Sequence, residues 1–171
     1  MFILSLFSKA TSITYPLVLF AYDLYIGRKL NFKMVVDKIP FFMISGIFGL
    51  IHLNIHVAEV NLTDPKFDTL GWLTYLWEAV VHYISSFAAP LFLSVIYETN
   101  TYHVSQFQYI AAAVFTIITL VVIVDRSKRN AAIFGLVFAG ITIFPTFQII
   151  RFGNGFKFAD RYLFIPSMGL V

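Results

Sequence analysis

The segment WLTYLWEAVVHYISSFAAPLFLSVIY, residues 72–97, decides how this chain is threaded through a membrane. It is apolar enough to cross a bilayer, but it contains a helix break at Pro90. Glu78, His82 and Ser86 follow one another at helical spacing and form a polar stripe on one face. We interpret the segment as a helix that lies along the membrane interface, or enters and returns at Pro90. The alternative is a full span whose polar stripe faces the inside of a bundle.

The composition is that of an integral membrane protein. The 171 residues are 59% hydrophobic, 18% aromatic and only 12% charged, whereas soluble domains carry roughly 25% charged residues. A membrane-spanning helix needs about 20 mostly apolar residues, so the length allows roughly five or six spans. The chain has no cysteine, which excludes disulfides, thiolate metal sites and cysteine nucleophiles.

The predicted fold is an all-α, polytopic membrane helix bundle that forms a single, partial domain over residues 1–171. Besides the segment 72–97, long apolar runs predict membrane-spanning helices. These predicted spans cover about 1–26, 39–59, 107–125 and 131–150, and another begins near 162.

The basic residues predict the orientation of the chain. The loops 27–38 and 125–130 hold seven of the twelve lysines and arginines, so both are expected on the cytoplasmic side. Both loops reach that side only if the segment 72–97 does not cross the membrane. Lys9, the region 60–106 and the stretch 151–162 then lie on the external side, where we expect the chemistry.

Both ends of the chain are expected to be cut inside membrane segments. MFILSLFSKA, residues 1–10, has no basic residue before its short apolar run, unlike a signal peptide. FADRYLFIPSMGLV, residues 158–171, stops when an apolar run has barely begun. The chain is therefore predicted to be an internal part of a longer protein.

Four stretches resemble one family of membrane enzymes. The family comprises bacterial GT-C glycosyltransferases with tetratricopeptide-repeat tails, together with the related transmembrane and tetratricopeptide-repeat O-mannosyltransferases of animals. The matching stretches, in the family's order, are SKATSITYPLVLFAYDLYIGRK (8–29), DKIPFFMIS (37–45), APLFLSVIYETN (89–100) and ADRYLFIPSMGL (159–170).

The resemblance implies a GT-C-like enzyme that takes a sugar from a polyprenyl-phosphate donor and passes it to a protein or glycan acceptor on the non-cytoplasmic face. The membrane would be the bacterial inner membrane, or the endoplasmic reticulum in a eukaryote. Enzymes of this family carry their acidic catalytic residue in a first external loop, which no segment here matches. The catalytic residue is thus unknown, and the fragment alone is expected to be inactive. The alternative is a non-catalytic membrane module or part of a transporter.

Six residues are candidates for binding the donor and acceptor. Arg161 offers a planar fork of donors that suits a phosphate, although it can instead snorkel to the interface and pair with Asp160. Lys9 interrupts an apolar run and either meets the same phosphate or anchors a helix end. The other candidates are Asp160, Tyr162, Tyr97 and Glu98.

No cofactor is evident, although a divalent metal is possible. His52, His56 and Glu59 share one helix face, but they lack the HExxH pattern and fit ordinary interfacial residues equally well. A hydrolytic triad of Glu78, His82 and Ser86 is not expected, since one helix rarely gives the geometry that a triad needs. Neither nucleotide-binding loops nor a basic, aromatic stripe for nucleic acid occurs.

Overall fold

The computed structural model describes residues 1–59, 69–90, 93–94, 97–98, 103–147 and 156–170. Within these ranges the chain is predominantly helical, which confirms the predicted all-α fold. The helices are α1 (Phe2–Ser8), α2 (Tyr15–Tyr25), α3 (Phe32–Val36), α4 (Ile39–Glu59), α5 (Thr69–Ala88), α6 (Gln106–Val124), α7 (Arg129–Ile143) and α8 (Phe164–Ser167). Three 3₁₀ helices (Ala10–Thr14, Phe144–Phe147 and Asp160–Leu163) and two short strands, β1 (Tyr97–Glu98) and β2 (Phe156–Phe158), complete the described elements.

Three helical stretches among the described residues are long and apolar enough to cross a membrane. They are Phe32–Asn54, Gln106–Val124 and Arg129–Phe147. Between 6% and 17% of each stretch is buried inside the protein, so their apolar side chains point outward. A helix that is apolar on its outer surface needs a hydrocarbon surrounding. The helix α5 is not one of the three.

The predicted span 1–26 is divided at Lys9. That residue has an extended backbone (φ −153°, ψ 124°), which ends α1. The chain continues through a 3₁₀ helix into α2, where Pro16 occupies the first turn and so costs no helical hydrogen bond. At the other end of α2, Gly27 adopts a left-handed conformation (φ 76°). The Arg28 amide then donates to the Asp23 carbonyl at 3.0 Å, which closes the helix as a glycine cap does.

The helices α5 and α6 run in the same direction where they pack together. His82 Nδ1 lies 3.5 Å from the side-chain nitrogen of Gln108 in the first turn of α6. Further along both helices, the rings of Phe87 and Phe115 are 5.2 Å apart. The candidate span α6 begins after Ser105. The last turns of α5 run beside its first half, at the level of its apolar residues.

The chain then returns to the level of His82. The helix α5 ends at Ala88, shortly before Pro90, because a residue that precedes proline disfavours helix. Tyr97 in β1 brings its ring to 4.7 Å from the imidazole of His82. Tyr97 thus lies beside the middle of α5 and not beyond its end. This position is compatible with the re-entrant interpretation of 72–97, whose placement in the membrane stays a prediction.

The helices α2 and α7 pack antiparallel and bring the two basic loops to one end. The ring of Tyr25, at the end of α2, stacks on Phe134, near the start of α7, at 4.6 Å. Beside them, Lys38 is only 5% exposed and pairs with Asp23 at the end of α2. The loops 27–38 and 125–130 thus lie at the same end of the molecule.

The helix α7 and the turn that follows α8 make a close backbone contact at two glycines. A methyl group added at Gly135 would overlap the carbonyl oxygen of Gly169. One added at Gly169 would lie 2.6 Å from the ring of Phe138. Only glycine permits this approach, which holds the last described helix against the middle of α7.

Candidate functional site

The carboxylate of Asp160 connects three parts of the chain. One oxygen lies 3.0 Å from His82 Nε2 on α5. The other accepts hydrogen bonds from the Tyr97 hydroxyl at 2.7 Å and from the Ser94 amide at 2.8 Å. The Asp160 side chain is only 9% exposed. These bonds fix the start of the 3₁₀ helix that carries the candidates at 160–162.

His82 is held by aromatic packing as well as by this carboxylate. Its ring is fully buried and stacks on Phe158 at 4.8 Å, with 13° between the planes. Phe158 in turn packs with Tyr75, Ala79 and Tyr83 of α5 in a buried cluster. The antiparallel pairing of β1 with β2 sets Tyr97 opposite Phe158 and so closes the site from the other side.

The charge of Asp160 is stabilised by its hydrogen bonds. Burial raises the pKa of this carboxyl, but the bonds from His82, Tyr97 and the Ser94 amide outweigh burial and lower the pKa below its ordinary value. Asp160 is therefore ionised at neutral pH. Burial raises the pKa of the Tyr75 and Tyr83 phenols in the neighbouring cluster, so both are neutral.

Two cations from distant parts of the chain meet at the ring of Tyr162. The guanidinium carbon of Arg161 lies 5.2 Å from the ring centroid, and the Lys9 ammonium lies 5.5 Å from it. Both distances are within the range of cation–π attraction. Lys9 and Arg161 are exposed, and neither forms an ion pair with any described residue.

Arg161 and its neighbour Asp160 have separate partners. Both oxygens of Asp160 are taken up by His82, Tyr97 and Ser94. Among the described contacts, Arg161 instead faces Tyr162. The expected alternative, in which the two neighbours pair with each other, is not the arrangement found.

Five of the six candidates from the sequence therefore lie in two adjoining groups. Asp160 and Tyr97 share a hydrogen bond, and Lys9, Arg161 and Tyr162 form the cationic group beside them. The sixth, Glu98, has its backbone in β1, while its side chain lies outside the described part.

Sequence reasoning missed the roles of His82 and Ser94. The polar stripe on α5 singled out His82, but its partner Asp160 lies 78 residues later in the chain. Ser94 acts through its backbone amide, which no side-chain pattern reveals. Only the tertiary fold shows these partners.

The possible metal site is only partly within the described structure. His52 lies on α4, but the side chains of His56 and Glu59 are outside the described part. Among the side chains that are described, no group of three or more His, Cys, Asp or Glu residues has a geometry that could hold a metal.

No known protein family, curated protein or solved structure matches the chain. The chemistry of the site is thus argued from its own geometry. Two exposed cations on one aromatic ring, next to a fixed carboxylate network, concentrate positive charge that would attract an anion. A phosphate suits it, because a guanidinium gives two parallel donors and an ammonium adds a compact charge.

Proposed function

We propose that this chain is part of a GT-C-type membrane glycosyltransferase. It takes a sugar from a polyprenyl-phosphate donor and passes it to a protein or glycan acceptor on the non-cytoplasmic face. The membrane is the bacterial inner membrane or, in a eukaryote, the endoplasmic reticulum. The observation that carries the proposal is the meeting of Lys9 and Arg161 at Tyr162.

The position of the two cations suits a lipid-linked phosphate. Asp160, the residue before Arg161, binds His82 and Tyr97. His82 lies beside the first turn of α6, so the cations are near the N-terminal end of that candidate span. This end of the candidate span is opposite the basic loop 125–130. A polyprenyl-phosphate donor holds its phosphate at the membrane surface, where both cations reach it without entering the hydrocarbon.

In the transfer, the phosphate is the leaving group. An acceptor oxygen attacks the anomeric carbon, a base takes the acceptor proton, and the bond from that carbon to the phosphate oxygen breaks. Negative charge grows on the departing phosphate, and Arg161 and Lys9 stabilise it. The acidic base is expected outside residues 1–171, so the role of this chain is donor binding and leaving-group stabilisation.

The test measures binding of polyprenyl phosphate to the whole protein in nanodiscs. Arg161→Gln and Lys9→Gln should each weaken binding roughly tenfold or more, since a bond between charged groups contributes about 1.5–3 kcal/mol. Arg28→Gln is the matched control, because Arg28 is a cation at the other end that is already paired with Asp23 and Asp37. Its binding should stay within twofold of the wild type.

A second readout is sugar transfer from the polyprenyl-phosphate sugar by the same proteins. Transfer should fall with binding in Arg161→Gln and Lys9→Gln. Unchanged binding in both variants would remove the cationic group from the proposed site. Phosphate binding without sugar transfer by the whole protein would overturn the enzymatic function and favour a non-catalytic membrane module.

A further inference from the structure

A second feature is a groove that runs along α2 and α7 to the basic end of the bundle. The groove has a volume of about 380 Å3. Its walls are apolar and include Leu17 and Leu24 of α2 and Val137 of α7. Tyr25 and Asn130 line its end nearest the basic loops. A long apolar space with one polar end has the shape of a site for an amphipathic chain.

The length of the groove corresponds to one leaflet of a bilayer. Its wall on α2 runs from Leu17 to Tyr25, which is about 12 Å at 1.5 Å per residue. The hydrocarbon core of a membrane is about 30 Å thick, so one leaflet is about 15 Å. A single acyl chain that enters from the basic side therefore fills the groove.

The two basic loops at this end of the groove carry an excess of positive charge, although Asp125 offsets part of it. Asp23 and Asp37 pair with Arg28 and Lys38, so these two cations have partners. Five other cations around the two loops are exposed, and none has an ion pair among the described residues. They are Lys29, Lys33, Arg126, Lys128 and Arg129.

We infer that this groove is a binding site for an anionic phospholipid of the leaflet on the basic side. One acyl chain occupies the space between α2 and α7, and the headgroup phosphate lies at Asn130 among the cations of the two loops. Basic pockets between membrane helices are a recurring means of binding anionic lipid headgroups. The site is separate from the cationic group at Tyr162, and the inference does not depend on sugar transfer.

The experiment compares phosphatidylglycerol with phosphatidylcholine as probes. The purified protein is equilibrated with each lipid in detergent, and bound lipid is counted by native mass spectrometry. Phosphatidylglycerol should bind at least about tenfold more tightly than phosphatidylcholine. Arg129→Gln, next to Asn130 at the polar end, should reduce that preference at least threefold.

Filling the groove separates a built site from general attraction to a basic surface. Val137→Trp adds bulk at an exposed groove residue (42% exposed) without changing charge. It should weaken phosphatidylglycerol binding at least fivefold. Val114→Trp on α6 (50% exposed), away from the groove, is the control and should leave binding unchanged.

Two outcomes would overturn the inference. Equal binding of the two lipids would mean that the groove takes hydrocarbon without regard to the headgroup. Unchanged binding in Val137→Trp would mean that the cations act as a diffuse surface. Helicity and monodispersity are checked for each variant, and Ile133→Phe, which fills the same groove, replaces Val137→Trp if the latter does not fold.

Discussion

At the scale of single residues, Asp160 accepts hydrogen bonds from two side chains and one backbone amide. It joins α5, the chain after Pro90 and the 3₁₀ helix of Arg161 and Tyr162. If Asp160 were replaced, each of its partners would lose a charged hydrogen-bond acceptor. Because the site is nearly buried, water would not readily take its place. Asp160 thus fixes the backbone next to Arg161 and Tyr162.

We expect Asp160→Asn to lower the free energy of unfolding at pH 7 by about 1.5–3 kcal/mol, the typical contribution of a hydrogen bond to a charged group. The pKa of Asp160 is lower in the folded protein than its ordinary value of 3.8. Its ionisation therefore stabilises the fold above that value, and the stabilisation is lost as the pH falls through the lowered pKa. Thermal unfolding in detergent between pH 7 and pH 3 measures both effects.

The wild type should lose more stability on acidification than Asp160→Asn does. Asp37→Asn serves as the control, because Asp37 is exposed and pairs with Arg28 at the surface. Its acid sensitivity should match the wild type. Parallel pH curves for the wild type and Asp160→Asn would contradict the role of this carboxylate.

How much of the site the sequence predicts differs from residue to residue. Arg161 and Lys9 stand out because ionisable groups are rare and costly in apolar surroundings. The family resemblance names Tyr162 as a candidate, but its contact with both cations is seen only in the structure. The bond from Asp160 to His82 does not follow, since it depends on how α5 and the later 3₁₀ helix meet in space.

At the scale of elements, apolar runs and caps define most helix bounds. The predicted stretch 39–59 is the observed α4, and α6 begins one residue before the predicted 107. Ser105 and Gln108 cap α6 reciprocally, a pattern that marks a helix start. The predicted span 1–26 does not include the break at Lys9, although a helix end at this residue is one of the two alternatives that the sequence left open.

The contact of α7 with α8 gives a prediction at this scale. Gly135→Ala should lower the free energy of unfolding by about 1–3 kcal/mol, because the new methyl group overlaps the Gly169 carbonyl and forces the helices apart. Gly140→Ala, on the same helix with open space at its Cβ position, is the matched control. It should be neutral or stabilising, since alanine favours helix over glycine by about 1 kcal/mol.

Chemical denaturation of both variants in the same detergent compares these effects. If Gly135→Ala and Gly140→Ala lowered the free energy of unfolding equally, helix flexibility would explain the effect. The close contact at Gly135 would then be contradicted as the cause.

At the scale of the whole molecule, the return of the chain after α5 predicts the membrane topology. The helix enters beside α6 and ends before Pro90, and Tyr97 is back at His82. This arrangement puts the loops 27–38 and 125–130 at one end. A full crossing by α5 would separate them.

Single cysteines can test this topology directly, because the natural chain has none. Asn31→Cys and Ser127→Cys should react with an impermeant maleimide from one side of sealed vesicles. Thr74→Cys and Gln106→Cys should react from the other side. All four positions are exposed on the protein surface, so only the membrane can shield them from the reagent.

The decisive comparison is between Ser127→Cys and Gln106→Cys. If α5 crossed the membrane, Gln106→Cys would be labelled from the same side as Asn31→Cys. Ser127→Cys would then be labelled from the opposite side. Labelling of that kind would overturn the returning segment and the shared side of the basic loops. Solubilised protein, in which all four cysteines should react, is the control for accessibility.

The bond between His82 and Asp160 also affects the order in which the site forms during protein synthesis. Asp160 follows His82 by 78 residues, and ribosomes add roughly 5–20 residues per second. His82 therefore waits about 4–16 s after its own synthesis for its carboxylate. Throughout that interval the nascent chain already holds Lys9 and α5 but lacks Arg161 and Tyr162. The Asp160 network and the contact of both cations with Tyr162 can therefore form only after translation has passed Tyr162, well after α5 has been made.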